Sequence, residues 1–160
     1  MNDVYLLLGS NIEPEKNISL AIRSLMDSTQ LMVERISAVW QTKAIGSSGA
    51  DFLNVAVHIR TTCELGCLKE MVIGEIEKKL GRIRTGDKYA PRTIDLDVIV
   101  FDHIIIDKDV FQLDHIMLPM SELLPELFSD EYQCTLIDLS RERKKHTLAK
   151  KRFLSLDTIK

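Results

Sequence analysis

The chain has 160 residues, about the length of one ordinary domain, and we expect residues 1–160 to form a single domain with a compact core. Hydrophobic residues make up 45% of the chain and charged residues 28%, which excludes general disorder and a membrane anchor as descriptions of the whole chain. The net charge of −3 gives no general reason to expect a nucleic-acid partner, and no membrane partner is expected.

The first residues and the cysteines predict a compartment. The opening three residues lead directly into an apolar run, without the basic stretch or the small-residue cleavage site of a signal peptide. Three cysteines, Cys63, Cys67 and Cys134, are an odd number in a chain that is long enough to fold without disulfides, so we expect reduced thiols. No second Cys or His pair with zinc-ligand spacing accompanies them. We therefore expect a cytoplasmic protein.

The first part of the chain predicts a strand, a helix and two further strands. Residues 4–8 are apolar and lead into a Gly-Ser-Asn turn, which is typical of a buried strand that leaves the sheet. Residues 14–26 carry apolar side chains at three- and four-residue spacing behind Pro14, so a helix is expected. Residues 32–41 and 52–62 alternate between apolar and polar side chains, which predicts two paired strands.

The middle of the chain repeats this order. Residues 65–80 place their apolar side chains on one helical stripe, and Gly81 is well placed to end that helix. Residues 93–101 return to strand character, with the even-numbered side chains from Ile94 to Val100 predicted on one face and the odd-numbered ones on the other. A short strand is expected at residues 104–106.

The order strand, helix, strand, strand, helix, strand predicts the α+β class and a ferredoxin-like sandwich. We expect a βαββαβ core whose antiparallel sheet carries both helices on one face, so that the other face is free for a ligand. A C-terminal helical extension is expected beyond this core, with five residues packing inward: Leu136, Leu139, Leu148, Phe153 and Leu156.

The C-terminal segment 141–152 concentrates positive charge. It holds seven Lys or Arg residues against one Glu, a net charge of +6 that leaves −9 on the rest of the chain. One interpretation is a solvated helix face. The other is contact with an acidic surface or a polyphosphate.

Asp95 and Asp97 stand two residues apart in a predicted strand, so their carboxylates project from the same face. Two like charges held together favour a bound cation, and Mg²⁺ is the natural candidate because it uses carboxylates, water and substrate phosphates as ligands. The loop before the strand carries four cations that match phosphate oxygens: Arg82, Arg84, Lys88 and Arg92. The alternative is a solvated strand face with weak surface ion pairs.

The string Pro-Arg-Thr-Ile-Asp-Leu-Asp-Val at residues 91–98 resembles the signature of the 6-hydroxymethyl-7,8-dihydropterin pyrophosphokinase family of folate biosynthesis. Residues 8–11 resemble that family's opening strand and turn, and residues 51–57 resemble its pterin-side strand. The resemblance covers roughly residues 4–127 and implies a ferredoxin-like fold. It also implies transfer of diphosphate from ATP to the hydroxymethyl group of the pterin, with release of AMP.

The resemblance also implies ligands and roles. We expect two Mg²⁺ ions held by Asp95 and Asp97, with ATP as co-substrate, and Arg82 and Arg92 as the arginines that handle the phosphates. We expect these small-molecule partners only, in a monomer or a weak homodimer. The residues implied for pterin binding are Thr42, Ala44, Ile45, Phe52 and Asn54. The residues implied for nucleotide binding are Glu77, Arg82, Arg84, Tyr89, Arg92, Val98 and His115.

The sequence departs from the family pattern after His115, which runs almost directly into the Met-Leu-Pro-Met stretch at residues 117–120. The missing piece is expected to supply a third phosphate-binding Arg and the second aromatic residue of the pterin sandwich. His115 is therefore either the nucleotide-side histidine or a displaced surface histidine. A catalytically weakened paralogue that binds a pterin or a nucleotide is the alternative function. An RNA-binding ferredoxin-like domain is a third, although two carboxylates on the sheet face do not suit it.

Overall fold

The structure is a computed structural model that describes residues 1–155. Within these residues nine strands follow in chain order: β1 (Asn2–Ser10), β2 (Leu31–Ile36), β3 (Val39–Thr42), β4 (Phe52–Thr61), β5 (Asp95–Phe101), β6 (Ile104–Ile105), β7 (Phe128–Ser129), β8 (Cys134–Thr135) and β9 (Lys150–Arg152). The helices are α1 (Pro14–Met26), α2, α3 (Asp114–Leu123) and α4 (Leu136–Lys144), with a 3-10 turn at Lys108–Phe111. Helix α2 begins at Leu65–Cys67, continues as a π-helical stretch at Leu68–Ile73 and ends as Gly74–Lys79. None of the helices within residues 1–155 combines the length and the apolar character that a membrane crossing requires.

Seven strands form one antiparallel sheet in the order β6-β5-β1-β4-β3-β9, and β2 also pairs with β4. The prediction of a single strand at residues 32–41 is wrong, because strand structure is interrupted between Ile36, where β2 ends, and Val39, where β3 begins. There the Ala56 N–H donates to Ser37 Oγ at 2.9 Å, and the Ser37 N–H donates to the Ala56 carbonyl at 2.9 Å. The serine hydroxyl takes the place of a backbone acceptor, so β4 continues without a break and pairs with both β2 and β3.

Helices α1 and α2 pack on one face of the sheet, which we call the lower face. The apolar side chains of β1 that point to this face, Val4, Leu6 and Leu8, are fully buried there. Burial of each leucine contributes roughly 1.5–3 kcal/mol relative to exposure. Helix α2 ends at Lys79 with Leu80 as its cap, and the following Gly81 has a left-handed φ of 76° that favours glycine, as predicted for the end of this helix. The ferredoxin-like α+β fold is confirmed.

The opposite, upper face is only partly free. Helices α3 and α4 cover one half of it, where Met117 and Met120 pack against Leu7 and Ala56. The expectation that this whole face is open to a ligand is therefore wrong, because the C-terminal helices need an apolar surface to bury. The uncovered half lies at the Gly9 end of β1.

A β-bulge also changes the predicted facing of β5. Tyr5 pairs with Val100 while Leu6 pairs with Val98, so Ile99 is an extra residue in the strand. The bulge turns the Val100 side chain to the upper face, whereas the sequence alternation placed it below. Ile94, Leu96 and Val98 do pack on the lower face as expected.

The C-terminal extension is helical only as far as Lys144. Leu136 is buried and Leu139 is partly buried, as predicted, but Leu148 is 78% exposed and Phe153 is 95% exposed. Leu156 lies outside the described residues. Residues 150–152 form β9 instead of helix, because pairing with the open edge of β3 satisfies backbone groups of both strands.

Candidate active site

A cavity of about 370 Å³ occupies the uncovered half of the upper face. Its walls come from β1, β3, β4 and β5, from the loop after β3, from the loop before β5 and from the start of α3. Nine residues singled out from the sequence line it: Thr42, Ile45, Phe52, Asn54, Tyr89, Arg92, Asp95, Asp97 and His115. Lys88, one of the four predicted phosphate-binding cations, also lines it, together with four residues for which the sequence predicted no role: Leu7, Gly9, Lys43 and Leu113.

Strand register brings the distant residues of this cavity together. Gly9 is paired with Asp95 on one side and with Asn54 on the other, and residues paired in this way point to the same face. A Cβ at Gly9 would lie 3.3 Å from Asn54 Oδ1, so glycine keeps the floor between the carboxylate and the amide open. The glycine that ends an apolar run was the available signal, but its neighbours depend on the sheet order.

Asp95 and Asp97 form an acidic pair at one end of the cavity. The Asp97 side chain is exposed to the cavity, and protein surrounds it on its other sides. This burial, together with the negative charges of Asp95, Glu77 and Asp107, raises the pKa of Asp97 to about 6. Arg92 acts in the opposite direction. The carboxylates repel one another, and a cation between them would relieve this repulsion.

The donor set fits a hard divalent cation. Asp95 and Asp97 offer oxygen donors from one strand face, and within residues 1–155 no cluster of three or more His, Cys, Asp or Glu side chains is arranged to hold a metal. An ion at this pair would take its remaining ligands from water or from a bound phosphate. Mg²⁺ prefers such partial protein coordination.

Two arginines face Asp95. Arg92 Nη1 lies 2.5 Å from Asp95 Oδ2, and Arg82 Nη2 lies 3.8 Å from Asp95 Oδ1. The Nε atoms of both arginines are buried and have no hydrogen-bond partner in the described part of the chain. A buried donor without a partner costs about 1–3 kcal/mol, so both guanidinium groups keep capacity for an anionic ligand.

Glu77 links α2 to the strand that carries the acidic pair. It is 3% exposed, and its carboxylate accepts the Leu96 N–H at 2.9 Å and a bond from Arg84 at 2.8 Å. Burial raises the pKa of Glu77, while the hydrogen bond from Leu96 opposes this shift. Glu77 therefore holds the backbone between the two aspartates. Arg84 is 73% exposed beside it.

An amide and an aromatic ring stand at the other end of the cavity. Asn54 is 1% exposed, and its Nδ2 donates to Thr42 Oγ1 at 2.8 Å. Phe52 presents a ring whose centre lies 5.8 Å from the Arg92 guanidinium carbon. A flat ring beside fixed polar atoms suits a planar heterocycle.

The loop after β3 and the loop before β5 meet over the cavity, where Tyr89 contacts Gly46. Gly46 has a φ of 72°, and a Cβ there would lie 2.6 Å from the Tyr89 ring. Lys88 Nζ lies 4.9 Å from the centre of the same ring. Glycine at position 46 therefore leaves room for the Tyr89 ring to pack against the loop after β3.

The remaining predicted residues take different places. His115 lies in the first turn of α3 and lines the cavity, and burial lowers its pKa while nearby aspartates oppose that shift. Val98 is 4% exposed in the lower core, so its side chain does not reach the cavity. Ala44 lies between two lining residues, Lys43 and Ile45, without lining the cavity itself.

Comparisons with known proteins agree on one family. The sequence model of the family described as "7,8-dihydro-6-hydroxymethylpterin-pyrophosphokinase (HPPK)" matches residues 5–125. The "2-amino-4-hydroxy-6-hydroxymethyldihydropteridine pyrophosphokinase" of Bacillus subtilis is 31% identical over 131 residues, which cover 80% of this chain and 74% of that protein. The protein of the same name from Aquifex aeolicus is 28% identical over 152 residues, 89% of this chain and 92% of that one.

Solved structures support the fold. The "Crystal structure of Plasmodium falciparum HPPK-DHPS wild type" matches with a TM-score of 0.68 at 12% identity, over 94% of this chain. This chain spans 48% of that larger chain and 44% of a second Plasmodium falciparum HPPK-DHPS chain. The sequence matches favour a pyrophosphokinase over a binding module or an RNA-binding domain. Because the family model covers most of the chain, and because the cavity contains the acidic pair and arginine of the family signature, the chain belongs to the 7,8-dihydro-6-hydroxymethylpterin-pyrophosphokinase family.

Proposed function

We propose that this protein transfers the terminal diphosphate of ATP to the hydroxymethyl oxygen of 6-hydroxymethyl-7,8-dihydropterin and releases AMP, in folate biosynthesis. Two Mg²⁺ ions at Asp95 and Asp97 are part of the proposal. The observation that carries it is the row across β5, β1 and β4, in which Asp95, Gly9 and Asn54 stand side by side on the floor of one cavity.

The pterin occupies the end of the cavity lined by Thr42, Ile45, Phe52 and Asn54. The Phe52 ring stacks on one face of the pterin, and the Asn54 amide pairs with its edge of donors and acceptors. The backbone beside Ala44 lies next to this end.

The nucleotide occupies the arginine side. Arg82 and Arg92 bind phosphate oxygens, and their unpartnered Nε donors support this role. Arg84, Tyr89 and His115 complete the nucleotide wall. Glu77 holds β5 from the lower face through its bond with the Leu96 N–H. Val98 contributes to nucleotide binding through its backbone alone.

In the reaction the hydroxymethyl oxygen forms a bond to the β-phosphorus of ATP while the bond from that phosphorus to the bridging oxygen breaks. AMP leaves with the bridging oxygen, and the hydroxyl proton is released. When bound, Mg²⁺ neutralises and orients the phosphate oxygens. The chain contributes alignment, through Phe52 and Asn54, and positive charge, through Arg82 and Arg92.

We also propose that residues 1–160 act as one domain, as a monomer or a weak homodimer, in the cytoplasm. Free cysteines support a reducing compartment, since Cys67 is exposed and Cys63 and Cys134 are half-buried. Light scattering coupled to gel filtration tests the oligomeric state. A stable higher oligomer would contradict it.

The activity is tested by mixing the protein with ATP, Mg²⁺ and 6-hydroxymethyl-7,8-dihydropterin and measuring AMP and pterin diphosphate by chromatography. The two products are expected in equal amounts. They should be lost in a double variant, Asp95→Asn with Asp97→Asn, and retained in Asp130→Asn, which alters an exposed carboxylate in the turn between β7 and β8. Binding of either substrate without AMP formation would contradict the proposal.

A further inference from the structure

The segment of residues 143–152, which we call the strap, runs from the last turn of α4 through β9. It lies beyond residues 5–125, where the family match ends. The strap contacts two separate walls of the candidate active site.

The first contact is at the start of α3. Arg143 Nη1 donates to the Gln112 carbonyl at 2.9 Å and to Asp114 Oδ1 at 2.5 Å, and the Thr147 hydroxyl donates to the other Asp114 oxygen. Leu113 lies between these two anchored residues, and His115 follows them. Both side chains line the active-site cavity, so the strap holds the backbone from which they enter it.

The second contact is at the edge of the sheet. Strand β9 pairs with β3, with Lys151 opposite Trp40 and Lys150 opposite Gln41. The next residue of β3 is Thr42, which lines the cavity and accepts the hydrogen bond from Asn54. The strap therefore supports the wall assigned to the pterin as well.

A second cavity, of about 340 Å³, lies between these two contacts. It shares five lining residues with the first cavity: Thr42, Lys43, Ile45, Leu113 and His115. Five residues of the strap line its other side: Arg143, His146, Thr147, Leu148 and Ala149. The segment that the family pattern places after His115 is short in this chain. The strap lines the space beside that histidine.

We infer that the strap is the outer wall of the pterin subsite and that Arg143 is a positioning residue, acting through Gln112 and Asp114 on Leu113, which lines both cavities together with the pterin-side residues Thr42 and Ile45. This inference rests on the proposed function. Loss of the Arg143 contacts frees the start of α3, and the cavity then binds the pterin less well in the ground state and in the transition state alike. Such a change raises KM without lowering kcat.

The test compares Arg143→Ala with Arg141→Ala, which removes an exposed arginine of the same helix that pairs with Asp138 at 3.7 Å. Steady-state kinetics are measured at a temperature at which circular dichroism shows each variant to be folded. Arg143→Ala is expected to raise the KM for the pterin about tenfold and to change kcat by less than about twofold. Arg143→Lys keeps the positive charge and an N–H donor group, so its KM should be close to that of the wild type, and Arg141→Ala should behave as the wild type.

Thr147→Val provides a second variant if Arg143→Ala does not fold, because it removes the other bond to Asp114 with little change in shape. It should raise the same KM in the same direction. A lower melting temperature with an unchanged KM would show that the contact only stabilises the fold and would overturn the inference. Equal effects of Arg141→Ala and Arg143→Ala would also overturn it. If the wild type forms no AMP, the proposed function fails, and the inference then fails as well unless calorimetry shows weaker pterin binding to Arg143→Ala.

Discussion

Replacement of Asp97 by asparagine is expected to stabilise the metal-free protein near neutral pH. In the folded protein the pKa of Asp97 rises from 3.8 to about 6, chiefly through burial and then through Asp95 and Glu77. A carboxyl group with a raised native pKa binds its proton more tightly in the folded state. Its contribution to stability is therefore present below about pH 4 and is lost as the pH rises through 6.

The size of the effect follows from that change in pKa. About two pKa units correspond to about 3 kcal/mol, since one unit is about 1.4 kcal/mol. Asp97 is more than a third exposed to the cavity, so solvent screens the repulsion and about 1 kcal/mol is a realistic value. An asparagine side chain cannot ionise, so the Asp97→Asn variant should exceed the wild type by this amount at pH 7.5 and approach it at about pH 3, where the carboxyl is protonated in both states.

Urea unfolding in the presence of a chelator measures this difference, with Asp130→Asn as the control carboxylate. Added Mg²⁺ should then raise the free energy of unfolding of the wild type and leave that of Asp97→Asn unchanged. An Asp97→Asn variant that is no more stable than the wild type at pH 7.5, or that gains equally at both pH values, would refute the electrostatic reasoning.

Three further substitutions test single contacts of the site. Arg92→Lys should lower kcat about 100-fold, because a lysine cannot reproduce the guanidinium geometry at the phosphates, and a kcat within threefold of the wild type would contradict this. Glu77→Ala should lower the free energy of unfolding by about 1–3 kcal/mol, because it leaves the Leu96 N–H without an acceptor. In the same urea titration Glu77→Gln should retain most of the stability. Gly9→Ala should raise the KM for the pterin about fivefold, because its Cβ would lie 3.3 Å from Asn54 Oδ1. An unchanged KM would contradict this and show that the Asn54 side chain moves aside without loss of pterin binding.

The acidic pair shows what local sequence can predict. The alternation in residues 93–101 placed Asp95 and Asp97 on the face opposite Ile94, Leu96 and Val98, because side chains two apart in a strand share a face whatever surrounds them. The same local rule failed at Val100. There one extra residue, Ile99, is set by pairing with β1, which the sequence of β5 does not reveal.

The C-terminal segment shows the converse. Its charge pattern and leucine spacing were compatible with a solvated helix, but the free edge of β3 draws residues 150–152 into the sheet. Only the assembled fold contains that edge, so no property of the segment alone predicts the pairing. The same holds for Arg143, whose partners Gln112 and Asp114 lie about thirty residues earlier in the chain.

The sequence by itself determined the ferredoxin-like fold, the family and most of the residues that line the cavity, because period-two and helical patterns and a long contiguous motif are local properties of the chain. Tertiary structure alone decided which residues became neighbours. It placed Gly9 between Asp95 and Asn54, covered half of the upper face with α3 and α4, and brought the strap against the start of α3 and the edge of β3. These features depend on strand order and on packing between distant segments, and no local pattern records them.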